Sequence, residues 1–356
     1  NKQNLLDTLS RIDGRGYKAY KDIRGSYHMG SYILHIDHVQ SDPFASPSRI
    51  RIEMPQSKAD FPAALYDTPV RHRALSDYLT RQVHHCVRRC AKGNRGSGKS
   101  GAVRVQSVGQ EILERTSVVI DENKVEARLS VGLPAAGRRV LGRQAVGMFT
   151  EELPRIAEGA LCIKSLDERA IQAQVDLCED QSYLRDWLDK NECVAFVAAG
   201  SILPRRSGVD DRPMENGAIP FQPPESLTRE VTLPHKGNIK GMAIPKGITL
   251  ITGGGYHGKS TLLRIAAGLA EPSGGEVITE KNATIRYLPQ APDLAGYETV
   301  GAYARADLGP LDDPFRAEHT PVALDLVGGT GRLGDVVGQL DRRAAVDVVA
   351  FLIIRS

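Results

Sequence analysis

The stretch "GITLITGGGYHGKSTLLRIAAGLA", Gly247 to Ala270, decides how this chain is read. An apolar, β-branched run, "GITLIT", leads into a glycine-rich turn, and "TLLRIAAGLA" follows with the apolar spacing of an amphipathic helix. A strand that delivers a glycine turn to a helix N-terminus gathers backbone N–H groups around a phosphate, and the helix dipole adds partial positive charge. Within it, "GGGYHGKS" (Gly253 to Ser260) fits the pattern G-x-x-x-x-G-K-[ST]. That pattern assigns Gly253, Gly254, Gly255, Gly258, Lys259, Ser260 and Thr261 to the binding of a nucleotide's phosphates. Lys259 neutralises the β/γ-phosphates, and the Ser260 hydroxyl takes Mg²⁺. Tyr256 and His257 are bulky for such a loop, so their side chains are expected to point outward.

A second stretch, "GNRGSGKS" (Gly93 to Ser100), fits the same pattern in a different setting. The helix-like, basic "ALSDYLTRQVHHCVRRC" precedes it and the strand-like "GAVRVQ" follows, so no helix dipole stands behind the loop. Between Arg71 and Arg104 there are nine Lys or Arg against the single acid Asp77. A basic, glycine-rich loop continuing a basic helix is suited to tracking RNA or another polyanion, with Arg88, Arg89, Lys92, Arg95, Lys99 and Arg104 each neutralising a phosphate. A solvated basic face with a flexible loop is the alternative. From Glu151 to Cys193 the balance reverses, eleven acids to five bases, as on the solvated side of helices.

At 356 residues the chain is long enough for two domains, or for one with an elaboration. Hydrophobic residues make up 41%, which is ordinary for a globular protein and excludes global disorder. Five cysteines in no pattern favour reduced thiols, and hence an intracellular, soluble protein. No apolar run reaches membrane-span length, so no membrane partner is expected.

Alternation between Tyr17 and Met54 predicts two or three strands. Leu75, Leu79, Val83 and Val87 predict a helix, with Ser76 as a possible N-cap. "TSVVIDENKVEARLSVGLP" predicts a hairpin turning at "DEN". Two helical segments, a buried strand ("CVAFV") and three short strands between Arg229 and Thr252 complete the pass. The expected division is an N-terminal α/β domain over 1–105, a region of strands and acidic helix over 106–205, and an incomplete P-loop core over 206–356.

Several segments in one order carry a resemblance: "YKDIRGSY", "DHVQSDPFASPSRIRI", "NRGSGKSG", "GQEILERTSVV", "VEARLSVGLPAAGRRVLGRQA", "LPRRSGVDDRP", "PFQPPESL" and "MAIPKGITLITGGGYHGKSTLL". Over roughly residues 17–263 the chain resembles the predicted ATPases of the ABC class, a soluble group outside the transporter families. The resemblance implies an ABC-type P-loop NTPase core with a mixed, largely parallel sheet and flanking helices, preceded by an N-terminal α/β elaboration. It further implies a homodimer that binds ATP between two head-to-tail copies, and it makes "NRGSGKSG" a feature distinct from the nucleotide loop.

Residues 264–300 look more like ABC-F-type proteins, in which Gln290 of "YLPQ" would sense Mg²⁺ and the attacking water. No signature segment is recognisable, and Leu326 follows Asp325 where a catalytic Glu is usual. A hydrolysing ATPase, a non-hydrolysing nucleotide-gated interaction module and an ABC-F-like translation-associated ATPase therefore stay open. Three weaker constellations remain. His84, His85, Cys86 and Cys90 offer soft ligands beside two arginines, which would repel a cation. Asp210, Asp211 and Arg212 sit in a loop. Tyr17, Tyr20 and Tyr27 are candidates to stack on adenine, against core packing.

Overall fold

The computed structural model describes residues 1–251, except 110, 203–204 and 208–209, and the backbone of three later strands. The chain divides into two compact units: one of residues 1–182 with Pro234–Lys236, the other of Tyr183–Leu233 with Gly237–Ser356.

The first unit opens with α1 (Lys2–Ile12), which the alternation argument does not assign. Leu5, Leu9 and Ile12 make its buried stripe, and the Asn1 side chain caps it by accepting from the Gln3 N–H. A 3₁₀ turn (Tyr17–Ile23) then leads into β1 (Gly25–His28), β2 (Ile33–His38) and β3 (Ser48–Pro55), where two or three strands are expected. After the single turn α2 (Gln56–Ala59) comes α3 (Pro69–Cys90). This helix starts two turns before Ser76. Thr68 is its cap, accepting from the Arg71 N–H, and Pro69 fits the first turn because no N–H is needed there. Ser76 is instead a buried interior residue whose hydroxyl donates to the Arg73 carbonyl.

The short β4 (Val103–Arg104), β5 (Val118–Ile120) and β6 (Lys124–Val131) complete the main sheet, in the order β1-β2-β3-β6-β4 with β5 also on β6. Every pair in it is antiparallel. On β3, Ile50, Ile52 and Met54 alternate inward as a half-buried strand requires. They join Leu75, Leu79 and Val83 of α3 in one core.

The tiny hairpin of β7 (Ala135–Ala136) and β8 (Arg139–Val140) precedes α4 (Gly142–Gly147), a π-helical turn (Met148–Glu152) and α5 (Leu153–Leu161), which packs on α3. Next, α6 (Glu168–Lys190) runs through the acidic segment. Fully buried Asp77 ties three parts together: it accepts from Arg115, Arg81 (2.7 Å), the Leu113 N–H (3.2 Å) and Gln174 of α6 (3.2 Å). A buried carboxylate needs such satisfaction, because its desolvation is otherwise costly.

In the second unit, β9 (Cys193–Ala198) is the expected buried strand. The loop chemistry around Asp210 contains a hairpin of β10 (Arg205–Ser207) and β11 (Asp210–Pro213). The three strands expected next are β12 (Thr228–Leu233), β13 (Gly237–Pro245) and β14 (Gly247–Ile251). Trp187 stacks edge-to-face on Phe196 (centroids 6.3 Å), in a cluster with Leu184, Leu188 and Val231. Further on are β15 (Val277–Thr279), β16 (Thr284–Tyr287) and β17 (Ala350–Arg355). β12-β13-β9-β15 form one sheet and β14-β17-β16 another. All of these ladders are antiparallel, so the mixed α/β class holds while the largely parallel ladder is not among the described pairs. Among the described residues, no helix is long and apolar enough to cross a membrane.

Candidate functional site

The two glycine-rich loops differ in what surrounds them. β14 ends at Ile251, two residues before Gly253 in the sequence. Gly253, Gly254, Gly255, Gly258, Lys259, Ser260, Thr261 and Gln290 themselves lie outside the described residues. Asp325 and Leu326 do too.

The loop at 93–101 is fully described, and six of its N–H groups are paired within the protein. Arg95 N donates to Ser100 O (3.0 Å), Gly96 N to Asn94 Oδ1 (3.0 Å), Ser97 N to Ala135 O (2.7 Å) and Lys99 N to Pro43 O (2.9 Å). Ser100 N reaches Ser97 O (3.3 Å) and Gly101 N reaches Gly132 O (2.8 Å). A phosphate cradle needs those same donors unpaired and converging on the anion. The glycines answer a different demand. At Gly96 (φ +134°) an added Cβ would stand 2.0 Å from Ala135 O, and at Gly98 (φ +64°) 2.5 Å from Pro43 O. They allow the loop to lie against its neighbours.

The six basic residues split into three groups. Arg95 is internal: its guanidinium pairs with Glu152 on the π-helical turn and donates to Gln144 Oε1 (2.6 Å), with its side chain 8% exposed. It is therefore committed to Glu152 and Gln144 rather than free for the phosphate that the sequence assigns to it. Lys92 is exposed but pairs with Glu151 (3.0 Å), whose carboxyl that contact holds below the ordinary range. Arg88 and Arg89 in the last turn of α3, Lys99 and Arg104 carry no ion pair among the described residues, and all but half-buried Lys99 are exposed. Near the end of α3, Arg89, Lys92, Arg155, Glu158, Gly159 and Ser165 line a cleft of about 630 Å³. Its charged lining is three cations to one acid, and Glu158 already accepts from Ser31 (3.0 Å).

The three tyrosines resolve into packing. Tyr17, Tyr20 and Tyr27 are all buried. Tyr17 donates to Gln40 (2.9 Å), Tyr20 to Pro134 O (2.7 Å) and Tyr27 to Ile23 O (3.0 Å), so none presents a face for adenine. Burial raises the pKa of all three phenols. Among the described residues, the close group of metal-type donors is Asp176, Glu179 and His235, not His84, His85, Cys86 and Cys90. In it the two imidazole nitrogens face different carboxylates, Glu179 at 2.7 Å and Asp176 at 3.6 Å, while Arg71 holds Glu179 at 2.6 Å. That is an ion-pair clasp on α6.

Comparison with known proteins agrees with this division. The family profile "ATPase of the ABC class N-terminal" matches residues 2–164, and the "P-loop domain" profile of the ABC ATPases matches residues 167–276. The chain belongs to the ATPases of the ABC class. Both glycine loops of this ABC-class ATPase thus have a place: 93–101 falls within the N-terminal match and 253–261 within the P-loop match. The zinc import ATP-binding protein ZnuC of Photobacterium profundum is 39% identical over 92 residues, 25% of this chain and 34% of that protein. The chain thus spans about a third of the length of this curated relative.

Proposed function

We propose that this ABC-class ATPase binds ATP with Mg²⁺ on Gly253–Thr261, with two copies closing head-to-tail around the nucleotide. The observation that carries the reading is a strand, β14, ending two residues before a G-x-x-x-x-G-K-S loop inside the segment matched as a P-loop domain. The donor set fits a magnesium nucleotide: glycine N–H groups for phosphate oxygens, the Lys259 ammonium for their charge, the Ser260 hydroxyl for the cation. When bound, Mg²⁺ neutralises developing phosphate charge. In this chain Lys259 orients the phosphates and Gln290 is the candidate to position water. Asp325, followed by Leu326, supports a second reading in which nucleotide gates an interaction without turnover. Steady-state ATP hydrolysis beside ATP affinity separates the two: turnover that disappears in Lys259→Ala supports an enzyme, while tight binding without turnover supports the gated module.

The N-terminal unit is read as the polyanion-binding part. Arg88, Arg89 and Arg104 are exposed without acidic partners among the described residues, and with Lys99 they supply the cations for RNA or another polyanion. An affinity for RNA that falls with salt, and falls less steeply after Arg88→Glu and Arg89→Glu, tests it.

A further inference from the structure

Phe44 is 62% exposed, yet the turn carrying it is firmly held. Its N–H donates to Asp42 Oδ1 (3.1 Å), and Ala45 N donates to Asp42 O (3.0 Å). Buried Gln40 donates its amide to both Pro43 O (3.0 Å) and Ala45 O (3.1 Å), while accepting from Tyr17. Lys99 N adds a bond to Pro43 O from the glycine loop. These bonds hold the backbone of the turn and leave the ring outside the core, and binding residues are disproportionately carried on loops held by a rigid scaffold.

The surroundings indicate the kind of ligand. Gly98 lies beneath the ring, close enough that a Cβ there would stand 3.1 Å from it. Lys99 follows. Arg138, 78% exposed, reaches Asp42 at 2.7 Å, and Ser97 Oγ accepts from Gly137 N (2.8 Å), which ties the β7–β8 turn to the same surface. Three loops thus meet at the exposed Phe44: its own turn, the glycine loop with Lys99, and the β7–β8 turn, whose Arg138 is paired with Asp42. A protein partner would favour a wider apolar patch, whereas a base with its phosphate offers both a π-face and negative charge.

We infer that Phe44 is a stacking platform for an unpaired nucleobase, and hence that the ligand of the N-terminal unit is single-stranded nucleic acid. This rests on the polyanion reading above and sharpens it, since a stacking platform takes unpaired bases, and a duplex keeps its bases stacked on one another. The test measures binding of a labelled single-stranded RNA of about 12 nucleotides, a duplex of equal length and inorganic polyphosphate, using the full chain and its Phe44→Ala and Phe44→Trp variants. Phe44→Ala is expected to weaken single-strand binding about tenfold with an unchanged salt slope, to leave polyphosphate binding alone, and to be rescued by Phe44→Trp. Equal affinity of wild type and Phe44→Ala for the single strand would overturn the stacking role while the polyanion reading stood. Wild-type protein that binds neither RNA nor polyphosphate would overturn both. Loss of a dimer in Phe44→Ala, with RNA affinity intact, would make the ring a protein contact instead.

Discussion

Gly93–Ser100 and Gly253–Ser260 are the same eight-residue pattern in two structural settings. The first continues a helix and spends its N–H groups on Ala135, Pro43 and Gly132. The second follows a strand, β14, in the sequence. A shared pattern therefore does not specify shared chemistry. What separates a phosphate cradle from a structural loop is whether the backbone donors are left for a ligand, and that depends on the element upstream and on what packs against the loop.

The comparison breaks most visibly at its lysines. Lys259→Ala is expected to weaken ATP binding at least about a hundredfold, because it removes a charge-assisted bond to phosphate in a site built around it. Lys99→Ala is expected to leave ATP affinity unchanged, as titration of either variant with a fluorescent ATP analogue would show. Next in size is the ion pair under the first loop. Glu152→Ala should cost about 3–5 kcal/mol in urea unfolding, because it strands the Arg95 charge in a nearly closed site. Gly98→Ala should cost more than about 1 kcal/mol, since φ is +64° and Pro43 O blocks the Cβ. ATP affinity at residues 253–261 should not follow either change beyond the loss of folded protein. The smallest effect is expected from Arg88→Glu with Arg89→Glu: near-wild-type stability, and an RNA salt slope reduced by about 0.7 for each phosphate that is no longer neutralised. An unaltered slope would make these arginines a solvated face.

Much of the fold is legible in the sequence because it rests on local rules. Period-two alternation marks β1–β3, β5–β6 and β12–β14, and helical spacing locates α3 and α6. The start of α3 is misplaced by that reasoning because Ser76, a good cap by type, lies inside the helix, whereas the "TP" pair at Thr68–Pro69 is the stronger signal. Helix α1 goes unassigned although Leu5, Leu9 and Ile12 carry its stripe. At the candidate sites, local reasoning separates the two loops by their flanks. It does not separate Arg95 from Arg88, because the acid that removes Arg95 from the surface, Glu152, is 57 residues away. Phe44 is hidden for a related reason: only the bonds from Gln40 and Lys99 reveal that its turn is fixed while its ring is bare. A phenylalanine between Pro43 and Pro47 in a Ser-rich turn that follows Asp42 is the available hint.

The most direct test of which loop holds nucleotide is equilibrium ATP–Mg²⁺ affinity, measured side by side on the wild-type chain, Lys259→Ala and Lys99→Ala. Binding abolished in Lys259→Ala and retained in Lys99→Ala is the predicted result. Binding retained in Lys259→Ala and abolished in a folded Lys99→Ala would contradict the account and return the nucleotide to Gly93–Ser100.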